Sequence, residues 1–128
     1  MIDYTNNFGQ IEGHFDPNTG NFTDSLGQLK GHFDSNTGMI RDNMHQHIAT
    51  IDDNGSIFDK HHKYIGGYDH DTNTFHDALH QVNGHYDPFS NSFFDSTHQV
   101  VGMANPHSAM EIHDHYSNVR THLLNQIL

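Results

Sequence analysis

The chain has 128 residues and a formal net charge of -11 at pH 7, from 16 acidic and 5 basic side chains, with 15 histidines and no cysteine. That balance argues against nucleic acid or an anionic membrane as a partner, and the missing cysteines exclude a disulfide scaffold and a thiol nucleophile. The length allows one modest core, no run approaches membrane-spanning length, and Met1 to Asn7 lacks a basic flank and an apolar segment, so no secretory signal stands in the chain as given and a cytoplasmic setting is expected.

Residues 1–105 are predicted to form one β-hairpin repeat domain. Aligning Phe15, Phe33, Ile51, Tyr68, Tyr86 and Ala104 gives spacings of 18, 18, 17, 18 and 18 residues. A fixed period of this length means one small supersecondary unit copied in tandem, each copy unable to bury its apolar face until a neighbour covers it. Five full units are visible, plus a sixth that starts at His98 and breaks off at Asn105-Pro106.

Each unit holds two turn signals. One is the Asp16 to Gly20 or Asp34 to Gly38 type, in which Asp and Asn bond their own backbone and Gly supplies positive φ. The other follows the second Asp, at Asp24 to Gly27 and, with His in place of Gly, at Asp77 to His80. Between them, runs such as Ile11, Gly13, Phe15 and Leu29, Gly31, Phe33 alternate with the period of a strand. Phe15, Phe33, Tyr68 and Tyr86, with Phe22, Ile40, Ile57, Phe75 and Phe93, are the expected core. Gly13, Gly31, Gly66, Gly84 and Gly102 leave room for a neighbour's ring or backbone.

The histidines are partly periodic. His14, His32 and His85 share a Gly-His-aromatic-Asp slot, and His45, His62, His80 and His98 share a turn slot. Stacked copies would turn the second slot into a ladder or ring, which makes those four the candidate ligands for a divalent transition metal such as zinc. The competing reading is that they are solvent-facing turn residues. Asp16-x-Asn18-x-Gly20 has the opening of a calcium loop without its fifth-position ligand or its closing Glu, so turn chemistry is the better account.

Residues 106–128 are predicted to be a C-terminal helix. Pro106 suits its start, Ser108-x-x-Glu111 is a capping-box pattern, and Ile112, Tyr116, Val119, Leu123 and Ile127 form one apolar stripe from Ala109 onward. The stripe is expected either to pack on the same domain or to form an oligomer interface, with His113, Asp114, Asn118 and Gln126 on the opposite side.

Tandem units of the form Gly-x-apolar-x-Gly-x-aromatic-Asp-x-x-x-Gly-x-apolar-x-Asp, over Phe8 to about Asn105, resemble the tandem β-hairpin proteins called four-fold β-flowers. They are more distantly similar to the tyrosine-aspartate repeats of Rhs shells. The resemblance implies hairpins wound around a pseudo-symmetry axis and no catalytic residues attached to the motif. The overall expectation is an all-β toroid or solenoid-like sheet of about five hairpins plus one amphipathic helix.

No nucleophile elbow and no phosphate loop is present, so no enzyme and no cofactor is expected. The leading functional reading is a structural or protein-interaction module that self-assembles through open strand edges or docks a protein partner. The alternative is a histidine-rich metal-binding or pH-responsive module. A third is a glycan binder using Tyr4, Phe58, Phe89 and Phe94.

Overall fold

The computed structural model describes residues 1–108, 110 and 114–128. The described residues form twelve short strands and a C-terminal helix: β1 (Ile2–Asn6), β2 (Ile11–Phe15), β3 (Asn21–Asp24), β4 (Leu29–Phe33), β5 (Met39–Asp42), β6 (His47–Ile51), β7 (Ser56–Asp59), β8 (Tyr64–Asp69), β9 (Thr74–Asp77), β10 (Val82–Asp87), β11 (Ser92–Asp95), β12 (Val100–Pro106) and α1 (His115–Ile127). Every strand pairs antiparallel with its sequence neighbours, and β1 pairs with β12 to close the sheet into a barrel. This corrects the solenoid-like alternative and the open strand edges, because closure leaves no edge free.

Closure also completes the sixth repeat. Phe15 faces Phe22, Phe33 faces Ile40, Tyr68 faces Phe75 and Tyr86 faces Phe93 across their hairpins. Ala104 of β12 faces Tyr4 of β1 in the same way, so the N-terminal strand supplies the half-unit missing at the other end of the chain. The turn that follows agrees: Asn6 Oδ1 accepts from the Phe8 and Gln10 amides, as Asp24 Oδ1 does from Leu26 and Gln28.

The two turn types fall on opposite rims. Rim A carries the turns closed by Asn6, Asp24, Asp42, Asp59, Asp77 and Asp95. Rim B carries those opened by Asp16, Asp34, Asp52, Asp69 and Asp87. Rim B also links the repeats, since the carbonyls of Gly20, Gly38, Gly55, Asn73 and Asn91 accept from the last core amide of the next unit.

Twelve strands enclose more space than inward side chains fill, as about eight already suffice for a filled interior. Helix α1 occupies that space. Its side chains meet barrel residues around the ring, from Tyr4 and Glu12 through Phe33 to Phe75, Tyr86 and Phe93. Ser117, Asn118, Val119, Thr121, His122, Leu123 and Leu124 are all buried. The helix runs from rim B, where His115 meets Tyr86, toward rim A, where Leu128 lies against Gly31. A Cβ on Gly31 would run into the Arg41 carbonyl oxygen and stand 2.6 Å from Leu128 Cδ2, so the missing side chain makes room for both the neighbouring strand and the helix end.

The predicted stripe is therefore only part of what α1 buries. Val119 and Leu123 are buried, Ile127 is half-buried and Tyr116 is exposed, while Asn118, expected on the opposite side, is fully buried. The predicted start at Ala109, the capping box ending at Glu111, and Ile112 and His113 lie outside the described residues. The N-cap observed is Asp114, whose side chain accepts from the Ser117 amide. The strand alternation also needs correction. A bulge in β2 shifts the register between Gly13 and Ile11 against β1, letting the exposed Glu12 accept from Asn125 Nδ2 of α1 and leaving Ile11 45% exposed.

Candidate functional site

The six rim A turns share one geometry. The closing Asp or Asn accepts two backbone amides with its Oδ1, and the fourth residue takes positive φ: Gly9 and Gly27, then His45, His62, His80 and His98. Glycine adopts that conformation without strain, whereas a histidine there costs about 1–3 kcal/mol. The third turn residue points outward from the rim. In four of the six turns it is large and apolar: Phe8, Leu26, Met44 and Leu79 are 73–82% exposed. Together they form an apolar crown interleaved with imidazoles.

Charge is unevenly divided between the rims. Lys30, Arg41, Lys60 and Lys63 stand in the rim A half beside Glu12 and the turn aspartates. Rim B gathers Asp3, Asp16, Asp34, Asp52, Asp53, Asp69, Asp71, Asp87 and Asp114, against Arg120 and the Met1 amino terminus among its described residues. Rim A is therefore the less repulsive face for association of like-charged molecules.

The four predicted metal ligands sit one to a hairpin around rim A. Among the described residues, no group of three or more His, Asp or Glu side chains is placed to hold a metal ion, so these four do not converge within one chain. Two of them contact rings instead: His80 stacks on Tyr64 at 4.5 Å, and His98 lies 5.2 Å from His85. The glycan candidates do not share a surface. Tyr4 is buried in the core, correcting its expected exposure, Phe58 and Phe94 pack on Tyr64 and His85 on the outer wall, and Phe89 is on rim B at 99% exposure.

Two polar clusters tie the barrel to its helix and to itself. Within the lumen, the Tyr4 hydroxyl and His122 Nδ1 share a hydrogen bond of 2.6 Å, and the imidazole stacks on Phe93 with centroids 4.2 Å apart. Burial pushes His122 down to about 3, and burial, then the Glu12 charge, holds the Tyr4 phenol above its usual range. Across the β1–β12 seam, Asp3 accepts from His14 Nδ1 at 2.6 Å and from His107 Nε2 at 2.8 Å. Burial pushes the Asp3 carboxyl up, but the two histidines more than offset it, and it rests below the usual carboxylate value.

Helix α1 lies closest to β12, β1 and β2, which leaves space on its far side. A cavity of about 270 Å³ opens at rim B between α1 and the turns of the second and third units, lined by Phe33, Tyr68, His70, Tyr116 and Arg120 among others. Sequence reasoning missed this site, because Arg120 falls between the stripe positions. Among the described residues, no helix is long and apolar enough to cross a membrane. No protein-family model matches the chain, nor does any curated protein or solved structure.

Proposed function

We propose that this chain is a non-enzymatic interaction module whose docking face is rim A, and that a second copy of the chain occupies it. The observation that carries the reading is the repetition of one exposed apolar residue, Phe8, Leu26, Met44 and Leu79, at the same position of four turns around a closed ring. Large apolar side chains gathered in an exposed state on one face mark an interaction site. A ring of like slots presents the same patch to its own copy across a two-fold axis, the arrangement of an isologous dimer. The concentration of acids on rim B favours rim A as the contact. Self-association by strand pairing, the route first expected, is closed off by the β1–β12 seam.

Burying one such side chain contributes about 1.5–3 kcal/mol. Changing Phe8, Leu26, Met44 and Leu79 together to Ser is therefore expected to weaken association by at least about 100-fold while leaving the fold intact. Light scattering on wild type and variant tests it, and a wild-type mass that the variant reproduces at every concentration would sink the reading. A pH-responsive role is the second reading, favoured by the four imidazoles in the same crown. The mass at pH 5.5 should therefore differ from that at pH 7.5; an unchanged mass would refute it.

A further inference from the structure

The rim B cavity has features the docking face does not use. Arg120 projects from α1 with its guanidinium 4.4 Å above the Phe33 ring and makes no hydrogen bond or ion pair among the described residues. The Asp53 carboxylate lines the same cavity, also without a hydrogen bond among the described residues; the charge of Asp114, itself bonded to Ser117, acts on Arg120 first and that of Asp53 second. By contrast, neighbouring Asp52 is already committed, its Oδ1 accepting from the Asn54 and Ser56 amides. The walls are aromatic: Phe33 and Tyr68 from the barrel, and His70 with Tyr116, whose rings meet at 4.2 Å.

We propose that this cavity is a binding site for a small zwitterion of the aromatic amino-acid class, whose carboxylate pairs with Arg120 and whose ammonium pairs with Asp53. The half-buried guanidinium offers planar, two-pronged recognition of a carboxylate. A simple anion would meet the acidic rim, with Asp52 and Asp53 lining the cavity, and a simple cation would leave Arg120 unpaired. A molecule carrying both charges satisfies both groups. A volume of about 270 Å³ is enough to take one amino acid, and the rings supply a stacking surface for an aromatic side chain.

The chain contains no tryptophan, so indole fluorescence excited beyond tyrosine absorption reports only on the probe. The test titrates the full chain into L-tryptophan, indole-3-propionate and tryptamine, which carry both charges, the carboxylate alone and the amine alone. Saturable binding of L-tryptophan is expected, about 10- to 100-fold tighter than either half-charged probe. Arg120→Gln should abolish it, and Asp53→Asn should erase the preference for L-tryptophan over indole-3-propionate. No saturable binding, tryptamine binding as tightly as L-tryptophan, or binding unchanged in Arg120→Gln would each overturn the proposal. Should circular dichroism show Arg120→Gln unfolded, Asp53→Asn and Tyr116→Ala at exposed positions decide in its place, and unchanged binding in both overturns it.

Discussion

His122 makes stability depend on pH in a calculable way. Its imidazole is 4% exposed, is hydrogen-bonded to Tyr4 and stacks on Phe93, and burial pushes it down to about 3. An unfolded-chain histidine titrates near 6.5. Between those two values the unfolded chain holds one proton more than the folded one at this site, so stability is lost as pH falls from 6.5 toward 3 and is unaffected above it. Each unit costs about 1.4 kcal/mol, and the loss between pH 7 and pH 5 comes to roughly 2 kcal/mol. Urea unfolding at the two pH values, on wild type and on Tyr4→Phe/His122→Leu, isolates the site from the other histidines. The variant is expected to lose about 2 kcal/mol less than wild type over that interval. Equal losses in the two proteins would refute the buried, neutral imidazole.

The seam, the ring packing and the crown each give a further test. Asp3→Ala removes both histidine contacts across β1, β2 and the residue after β12, and should lower stability by about 1–2 kcal/mol in urea unfolding. The Asp3 contribution is present above the usual aspartate value and lost as pH falls below it, so the variant should lack part of the wild-type acid limb. Gly102→Ala would place a Cβ against the Tyr4 ring and 2.9 Å from the Thr5 carbonyl oxygen, where Tyr4 is pinned by His122. A loss of about 1–3 kcal/mol is expected by thermal unfolding. Replacing His45, His62, His80 and His98 by Gly relieves their positive φ, so the melting temperature should hold or rise; a marked drop would show that the imidazoles stabilise the turns.

Most of the strand core was legible because its period survives in single residues. Phe15, Phe33, Tyr68 and Tyr86, with Phe22, Ile40, Phe75 and Phe93, are all buried, as their alignment implies. The completed sixth unit was legible in principle: Tyr4-Thr5-Asn6-Asn7-Phe8-Gly9 matches Phe22-Thr23-Asp24-Ser25-Leu26-Gly27 position for position in chemistry. What hid it is that the matching halves stand at opposite ends of the chain, and only β1–β12 pairing joins them. The helix was misread for a different reason. Asn118, Thr121 and His122 look like a solvent face, and they are buried because a closed barrel surrounds α1 and supplies partners such as Tyr4 and Asn91. No local pattern reports that enclosure. The bulges escaped notice too, since one extra residue at Glu12 reverses the facing that alternation assigns to Ile11.

Rim A as a self-docking face is tested most directly by sedimentation equilibrium across a wide concentration range at pH 7.5. Phe89→Ser serves as the control, because Phe89 is the most exposed large apolar side chain and sits on rim B. The account predicts a monomer–dimer equilibrium that survives Phe89→Ser and is lost when the four rim A tips become Ser. A wild type that stays monomeric throughout, or a dimer that Phe89→Ser abolishes, would contradict it.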